Sequence, residues 1–292
     1  MLHYLRVFKY QLFGNFLGIK INASYLAFIY FIFFFKKFKK RNIIKRDKEI
    51  DMQIYQLKNK GFLKIPSVIT AEEAKRVSNL ATDLIQKSTD IKKAYDNNLS
   101  LNILKPCENL KIDINEILIN ETVKNVLDNY FISDYRLKWI DFYRSHPKND
   151  DVGSWLWHID NYPVGIIKGM VLFTDQDSRT GAMSFLSKKA TYEIIKKKYY
   201  GLASVKREKN LYSIIDKKIF NDGLTTFDGK AGDLYLFSGN QMHCANAPLN
   251  LYRDVCTFMI TPTLKKTSYK INFEDIHTNY GFSRNPWTEI KN

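Results

Sequence analysis

The sequence predicts an α+β fold, with helices packed on the outside of a β-sandwich or jelly-roll barrel. Two observations carry that prediction: helical periodicity fills much of residues 48–130, and short strands dominate from residue 135 onward. A third bounds it. The 292 residues, 45% of them hydrophobic, suffice for one large core, or for one core with a helical appendage, and no internal repeat divides them.

The chain is expected to divide near residue 47. Residues 1–47 are a hydrophobic and basic segment read as an N-terminal hydrophobic helix, and residues 48–292 are read as the main domain. The apolar run Ala23–Phe35 is 13 residues long, broken only by Ser24, and Lys36, Lys37, Lys39, Lys40 and Arg41 follow it closely. A spanning helix needs about 20 apolar residues, so three arrangements stay open: a signal anchor, a helix lying in the membrane interface, or a helix packed on the domain. The basic cluster favours contact with a membrane surface through residues 12–41, since each such charge gains about 1 kcal/mol near anionic headgroups. With that cluster inside, the expected location is cytoplasmic, attached to the cytoplasmic face of a membrane.

Residues 48–60 read as a helix with Ile50, Ile54 and Leu57 on one face, closed by Gly61. "GFLKIPSVI" follows as a short strand stopped by its proline. Thr70 with Glu73 forms a capping box, opening a helix with Val77, Leu80, Ala81, Leu84 and Ile85 on its apolar face. Residues 91–112 are poorly patterned. A helix within 114–130 turns Val123, Val126 and Leu127 inward. "YRLKWIDFY" then alternates with period two. "GIIKGMVLFTD", "GDLYLFSG" and "RDVCTFMITPT" are further strands, the last with Val255, Thr257 and Met259 on one face.

Bulk properties exclude several classes. Of the net charge of +15, residues 1–48 carry +10 (eleven basic residues against Asp47), leaving +5 for the rest. The basicity is therefore an N-terminal property and no nucleic-acid partner is expected. The three cysteines, Cys107, Cys244 and Cys256, are odd in number and lack CxxC spacing, which speaks against a disulfide framework or a thiolate zinc site.

The chemistry concentrates in "WLWHIDNYP". His158 and Asp160 stand at i and i+2, which on extended backbone puts both side chains on one face. A local hydrogen-bonded pair would explain that much. A third ligand would make it a metal site, and His243 in "GNQMHCANAP" is the next candidate. Two histidines and a carboxylate can occupy one face of iron(II), leaving positions for a co-substrate and O2. Arg253, ten residues on, offers a guanidinium fork for a carboxylate. A dicarboxylate such as 2-oxoglutarate would chelate iron at one end and meet Arg253 at the other.

On these residues, together with "GMVLFTDQDSRTGAMSFLSKKA", "AGDLYLFSGNQMHCANAPLN", "YRDV" and the opening "LKNKGFLKIPSVITAEEAKRV", the chain resembles the phytanoyl-CoA dioxygenase family of iron(II)/2-oxoglutarate-dependent oxygenases over roughly residues 50–263. The resemblance implies a double-stranded β-helix (jelly-roll, cupin-like) core with flanking helices. It implies iron bound by His158, Asp160 and His243, 2-oxoglutarate held by Arg253, and hydroxylation of an unactivated C–H bond in a small-molecule or lipid-like substrate. Halogenating relatives carry a small residue in place of the carboxylate, so Asp160 favours hydroxylation. The chain departs from the family where a Pro-Gly-Ser-His segment is common and "LSKKATYE" stands instead, and in the Lys-rich stretch 188–230. Those departures bear on substrate.

Further residues have two readings each. Lys168 and Tyr143 either reach the co-substrate carboxylate or serve structure. Asn246 either fixes the His243 loop or is a plain turn residue. Trp155, Trp157 and Tyr162 either wall a substrate pocket or pack in the core. The lysines of "SKKATYEIIKKKYYG" either attract an anionic substrate or form a solvated helix face. His3, His146 and His277 are expected bystanders. The alternative from another class is a catalytically silent jelly-roll binding module tethered at a membrane.

Overall fold

The computed structural model describes residues 47–94, 100–131, 135–147, 153–160, 166–201 and 207–262. The expected N-terminal hydrophobic helix, with its membrane contact, lies outside them, as do Tyr162, His3 and His277. Among the described residues no helix is long and apolar enough to cross a membrane.

Helix α1 (Lys48–Tyr55) is capped by the Asp47 side chain, which accepts from the Ile50 amide. The expected helix does not continue as α: Gln56–Lys60 widen into a π turn that ends on Gly61 in the left-handed region at φ 89°. Strand β1 (Phe62–Ile65) follows, then helix α2 (Ala71–Lys87), whose Thr70 cap accepts from the Glu73 amide as expected. Residues 91–112 hold two strands the pattern did not reveal, β2 (Ile91–Ala94) and β3 (Ser100–Ile103), and a short helix α3 (Pro106–Asn109). All four residues of β3 are buried, so no alternation marks it. The helix expected within 114–130 is two, α4 (Ile114–Ile119) and α5 (Glu121–Phe131). Asn120 breaks them apart, because its side chain caps the second by accepting from the Val123 amide.

The remaining elements are β4 (Tyr135–Ser145), β5 (Ile167–Leu172), β6 (Met183–Leu186), α6 (Lys188–Lys196), α7 (Lys217–Gly223), β7 (Leu224–Phe227), β8 (Leu234–Ser238), β9 (His243–Ala245) and β10 (Arg253–Pro262). They form a seven-stranded sheet in the order β1-β8-β5-β10-β4-β3-β2 and a three-stranded sheet in the order β7-β6-β9, with antiparallel pairing throughout.

Alternation along the strands assigns each face of the major sheet. Val171, Leu234, Leu236, Cys256 and Phe258 pack against Ile54 of α1, Val77 and Ala81 of α2, Ile117 of α4 and Val126 of α5. The opposite face carries Met170, Leu172, Tyr235, Phe237 and Val255, which meet Met183, Phe185 and Ala245 of the minor sheet. Beyond the minor sheet, Leu186 and Cys244 pack on Ala190 and Ile194 of α6 and Phe220 of α7. The layers are therefore helices, major sheet, minor sheet, helices: a jelly-roll-like core with flanking helices, as the sequence led one to expect.

One polar tie crosses the helical face. Arg144 donates through Nε and Nη2 to the two carboxylate oxygens of Asp254 at 2.7 and 2.5 Å, and Ser78 of α2 donates to the same carboxylate at 2.7 Å. Both charged groups are buried, so α2, β4 and β10 are held in fixed relation.

Candidate metal centre

His158 and Asp160 belong to a segment whose backbone is bonded on both sides. The amides of His158 and Asp160 donate to the carbonyls of His243 and Gly239 at 3.0 and 2.7 Å. Those of Trp157 and Ile159 donate to Glu208 and Tyr200, each at 3.0 Å. The segment thus runs like a central strand, continuing the minor sheet beyond β9, and its side chains alternate. His158 and Asp160 share one face, as their spacing requires. Trp157 and Ile159 point the other way, into the cluster under α6 and α7. Trp157 is core packing, with Phe220 edge-on at 5.6 Å, and Trp155 packs between the sheets.

His243 opens β9 and faces His158 directly. The two exchange reciprocal backbone hydrogen bonds at 3.0 Å, and their rings lie 4.4 Å apart. Asp160 completes the group: its Oδ1 is 3.9 Å from His158 Nε2 and its Oδ2 is 3.5 Å from His243 Nε2. Ligand atoms of all three lie within 4.8 Å of one another. Donors about 2.1 Å from a shared ion stand about 3 Å apart at right angles, so small side-chain rotations bring this set to ligand distance.

The tautomers are fixed in the same way at both histidines. His158 Nδ1 lies 2.7 Å from the Leu156 carbonyl, and His243 Nδ1 lies 2.7 Å from the Gln241 carbonyl. A carbonyl only accepts, so each Nδ1 carries the proton and each Nε2 presents a lone pair toward Asp160. Burial, with the neighbouring His243 and Arg207, holds His158 well below the usual imidazole range; burial also lowers His243. Burial alone would raise the Asp160 carboxyl, but the Lys168 ammonium and the two imidazoles more than reverse this and keep it below the usual carboxylate range. Two neutral imidazoles and one carboxylate are the protonation states a divalent cation requires.

Lys168, on β5, donates to Asp160 Oδ2 at 3.0 Å and lies over the Phe237 ring at 5.4 Å. Phe185 and Phe237 wall the His243 side, with centroids 6.2 and 5.2 Å from its ring.

Arg253 begins β10 on the face turned to the minor sheet and is 1% exposed. Its Nη1 donates to the carbonyls of Gly181 and Asn246, the latter at 3.1 Å. Its other edge is open. Among the described residues, Nε is buried without a hydrogen-bond partner and Nη2 reaches only Ser145 Oγ at 3.5 Å. Arg144, one residue along the partner strand from Ser145, which faces Arg253, uses that same Nε/Nη2 edge to grip Asp254. Among the described residues no carboxylate ion-pairs with Arg253, and burial pushes its pKa down from the ordinary value. A buried guanidinium edge with an unpartnered donor can accept an anion.

Asn246 stands three residues past His243, about 10 Å along extended backbone. Its amide nitrogen donates to the Ala182 carbonyl at 2.5 Å and to Ser184 Oγ at 2.9 Å, so its donors are committed to β6 and its approach. Its backbone carbonyl is the Arg253 acceptor just described. Tyr143 lies on β4 opposite Val255, on the Arg253 face. His146 stands just past β4 with a lowered pKa, due to burial and then Arg144, and is not among the grouped donors. The sequence reading missed the carbonyls of Leu156 and Gln241 and the Arg253 partners Gly181 and Ser145. A common i−2 offset links each carbonyl to its histidine, but it becomes a signal only once backbone direction is known.

No protein-family model matches the chain, and no curated protein matches it in sequence. Solved structures do match. The non-heme α-ketoglutarate-dependent epimerase SnoN from nogalamycin biosynthesis aligns with 82% of this chain and 93% of its own, at 14% identity and a TM-score of 0.52. SnoN in complex with Fe3+, α-ketoglutarate and nogalamycin RO aligns with a TM-score of 0.54, again at 14% identity, over 82% of this chain and 94% of that one. The α-ketoglutarate-dependent carbocyclase SnoK aligns at 16% identity over 74% of this chain and 84% of its own, with a TM-score of 0.50. The fold is shared with these proteins.

Proposed function

We propose that this chain is an iron(II)- and 2-oxoglutarate-dependent oxygenase acting on a small molecule, with residues 48–292 as its catalytic domain. The donor set carries the reading: two imidazoles with Nδ1 protons committed to backbone carbonyls, so that both Nε2 lone pairs face one ionised carboxylate. The shared fold supports it, since the named neighbours are α-ketoglutarate-dependent enzymes and one is described with Fe3+ and that co-substrate.

The residues fit both groups. His158, Asp160 and His243 would hold the iron on one face. The unpartnered Nε of Arg253, with Nη2 beside it, would take the distal carboxylate of 2-oxoglutarate. Bound iron with 2-oxoglutarate and O2 supplies an oxidant able to attack an unactivated C–H bond. The chain's own work is positional. Lys168 holds Asp160 Oδ2 and keeps the carboxylate ionised and oriented. Phe185 and Phe237 exclude water on the His243 side. Hydroxylation is the outcome proposed here, in line with the resemblance to the phytanoyl-CoA dioxygenase family. The substrate proposed is a small metabolite or a lipid-like molecule with an anionic group, which the lysines of "SKKATYEIIKKKYYG" would attract.

The test mixes anaerobic protein with Fe(II) and 2-oxoglutarate and looks for the weak visible charge-transfer band, then admits air and measures succinate. Absence of both sinks the reading. Residues 12–41, with their basic cluster, are proposed to attach the enzyme to the cytoplasmic face of a membrane. Deleting residues 1–47 should release it, and unchanged localisation refutes that attachment.

A further inference from the structure

We propose that Tyr199 and Gly201 are positioning residues for the metal site, in a brace supplied by the Lys-rich stretch between β6 and β8; the inference rests on the metal reading above. The ligand segment is flanked by β9 on one side and by this stretch on the other. The Tyr199 hydroxyl donates to the Trp157 carbonyl at 2.8 Å and accepts from the Glu208 amide at 2.7 Å. The Tyr200 carbonyl takes the Ile159 amide, and the Glu208 carbonyl takes the Trp157 amide. Arg207 closes the brace: Nε donates to the Gly201 carbonyl at 2.7 Å, and Nη1 to the Gly153 carbonyl at 2.6 Å, in the turn that precedes the ligands.

Gly201 is the closest approach. It sits at φ +59°, a left-handed conformation, and a Cβ there would strike the Trp157 carbonyl oxygen and come within 2.8 and 2.9 Å of His158 Cα and Cβ. The obstacle is backbone and the first atom of a ligand side chain, neither of which can swing aside. A side chain at position 201 therefore forces the Gly201 backbone and the His158 segment apart. Because the His158 amide and carbonyl are also tied to His243, that displacement is relayed to the third ligand. The Lys-rich stretch thus sets the rear wall of the ligand segment.

The experiment uses the full chain with Co(II) as probe, reading its dissociation constant and visible d–d bands anaerobically, beside the Tm of the metal-free protein. Gly201→Ala should weaken Co(II) binding at least tenfold and change the bands. Tyr199→Phe, which removes both hydroxyl bonds without changing volume, should weaken it several-fold. Ile54→Ala, a cavity on the far side of the major sheet, should lower Tm while leaving Co(II) affinity and bands unchanged. If both brace variants lose Tm but keep wild-type affinity and bands, the brace is only structural and the proposal is overturned. Should Gly201→Ala fail to fold, Tyr199→Phe decides alone. A wild-type chain that binds no Co(II) overturns the metal reading, and the brace falls with it.

Discussion

Replacing Arg253 by methionine keeps a long side chain between the sheets and removes the fork. Nη1 is already committed to Gly181 and Asn246, so what the co-substrate loses is the Nε/Nη2 edge and the charge behind it. Truncating one partner of a buried, hydrogen-bonded charge pair costs about 2–5 kcal/mol, roughly 30- to 4,000-fold in Kd. With 2-oxoglutarate at 100 times its Kd, the wild-type protein gains about 2.7 kcal/mol. For a domain of this size that is a rise in Tm of about 5–11 °C. At the same concentration the variant keeps less than about 1 kcal/mol, a rise below about 4 °C. Thermal melts of the Co(II)-loaded protein with and without 2-oxoglutarate measure this directly. Arg253→Lys, which keeps the charge but not the fork, should fall between the two. If Arg253→Met retains the full ligand-induced rise, the open edge is not a carboxylate site. Loss of a guanidinium serving only Gly181 and Asn246 would lower the Tm of the ligand-free protein and leave the increment intact.

Two further outcomes follow from groups away from the centre. Asp254→Ala strands the buried Arg144 guanidinium and should cost about 3–5 kcal/mol in denaturant melts; Arg144→Met with Asp254→Leu should recover much of that, and a loss below about 1 kcal/mol in the single variant refutes the tie. Cys107 is pushed up to about 12 by burial, then by Asp113 and Glu108, and burial raises Cys256 well above the usual thiol range. Both thiols therefore stay protonated at pH 8 and, being buried, should label with thiol reagents only as fast as the protein opens. Rapid labelling of either in the native protein contradicts that burial.

Strands β4, β5, β8 and β10 were legible because they alternate or run apolar between turn residues; β6 and β9, short and buried throughout, were not. The Thr70 cap was legible from its chemistry alone. Residues 91–103 were not, because β3 is buried on both faces and offers no period to detect. The break at Asn120 was hidden inside a continuous apolar stripe; only the capping bond to Val123 reveals it. At the site, the i, i+2 spacing placed His158 and Asp160 on one face, and the structure brings His243 to them. The open edge of Arg253 had no counterpart in residue order, since it is defined by which donors other segments have already taken. The Trp157 orientation had none either, because an extended segment bonded on both sides has two possible inner faces until its neighbours are known.

The reciprocal bonds between His158 and His243 join positions 85 apart in the chain. During synthesis, a chain that has emerged only as far as β8 owns two ligands and no third. If the site holds iron as proposed, loading has to wait until the turn after β8 is made and β9 has docked against the ligand segment. An ion that bound tightly only to that finished arrangement would add its affinity to the completed fold and withhold it from truncated or mispaired chains. Metal content in a purified sample would then report how many molecules had docked β9 against the ligand segment.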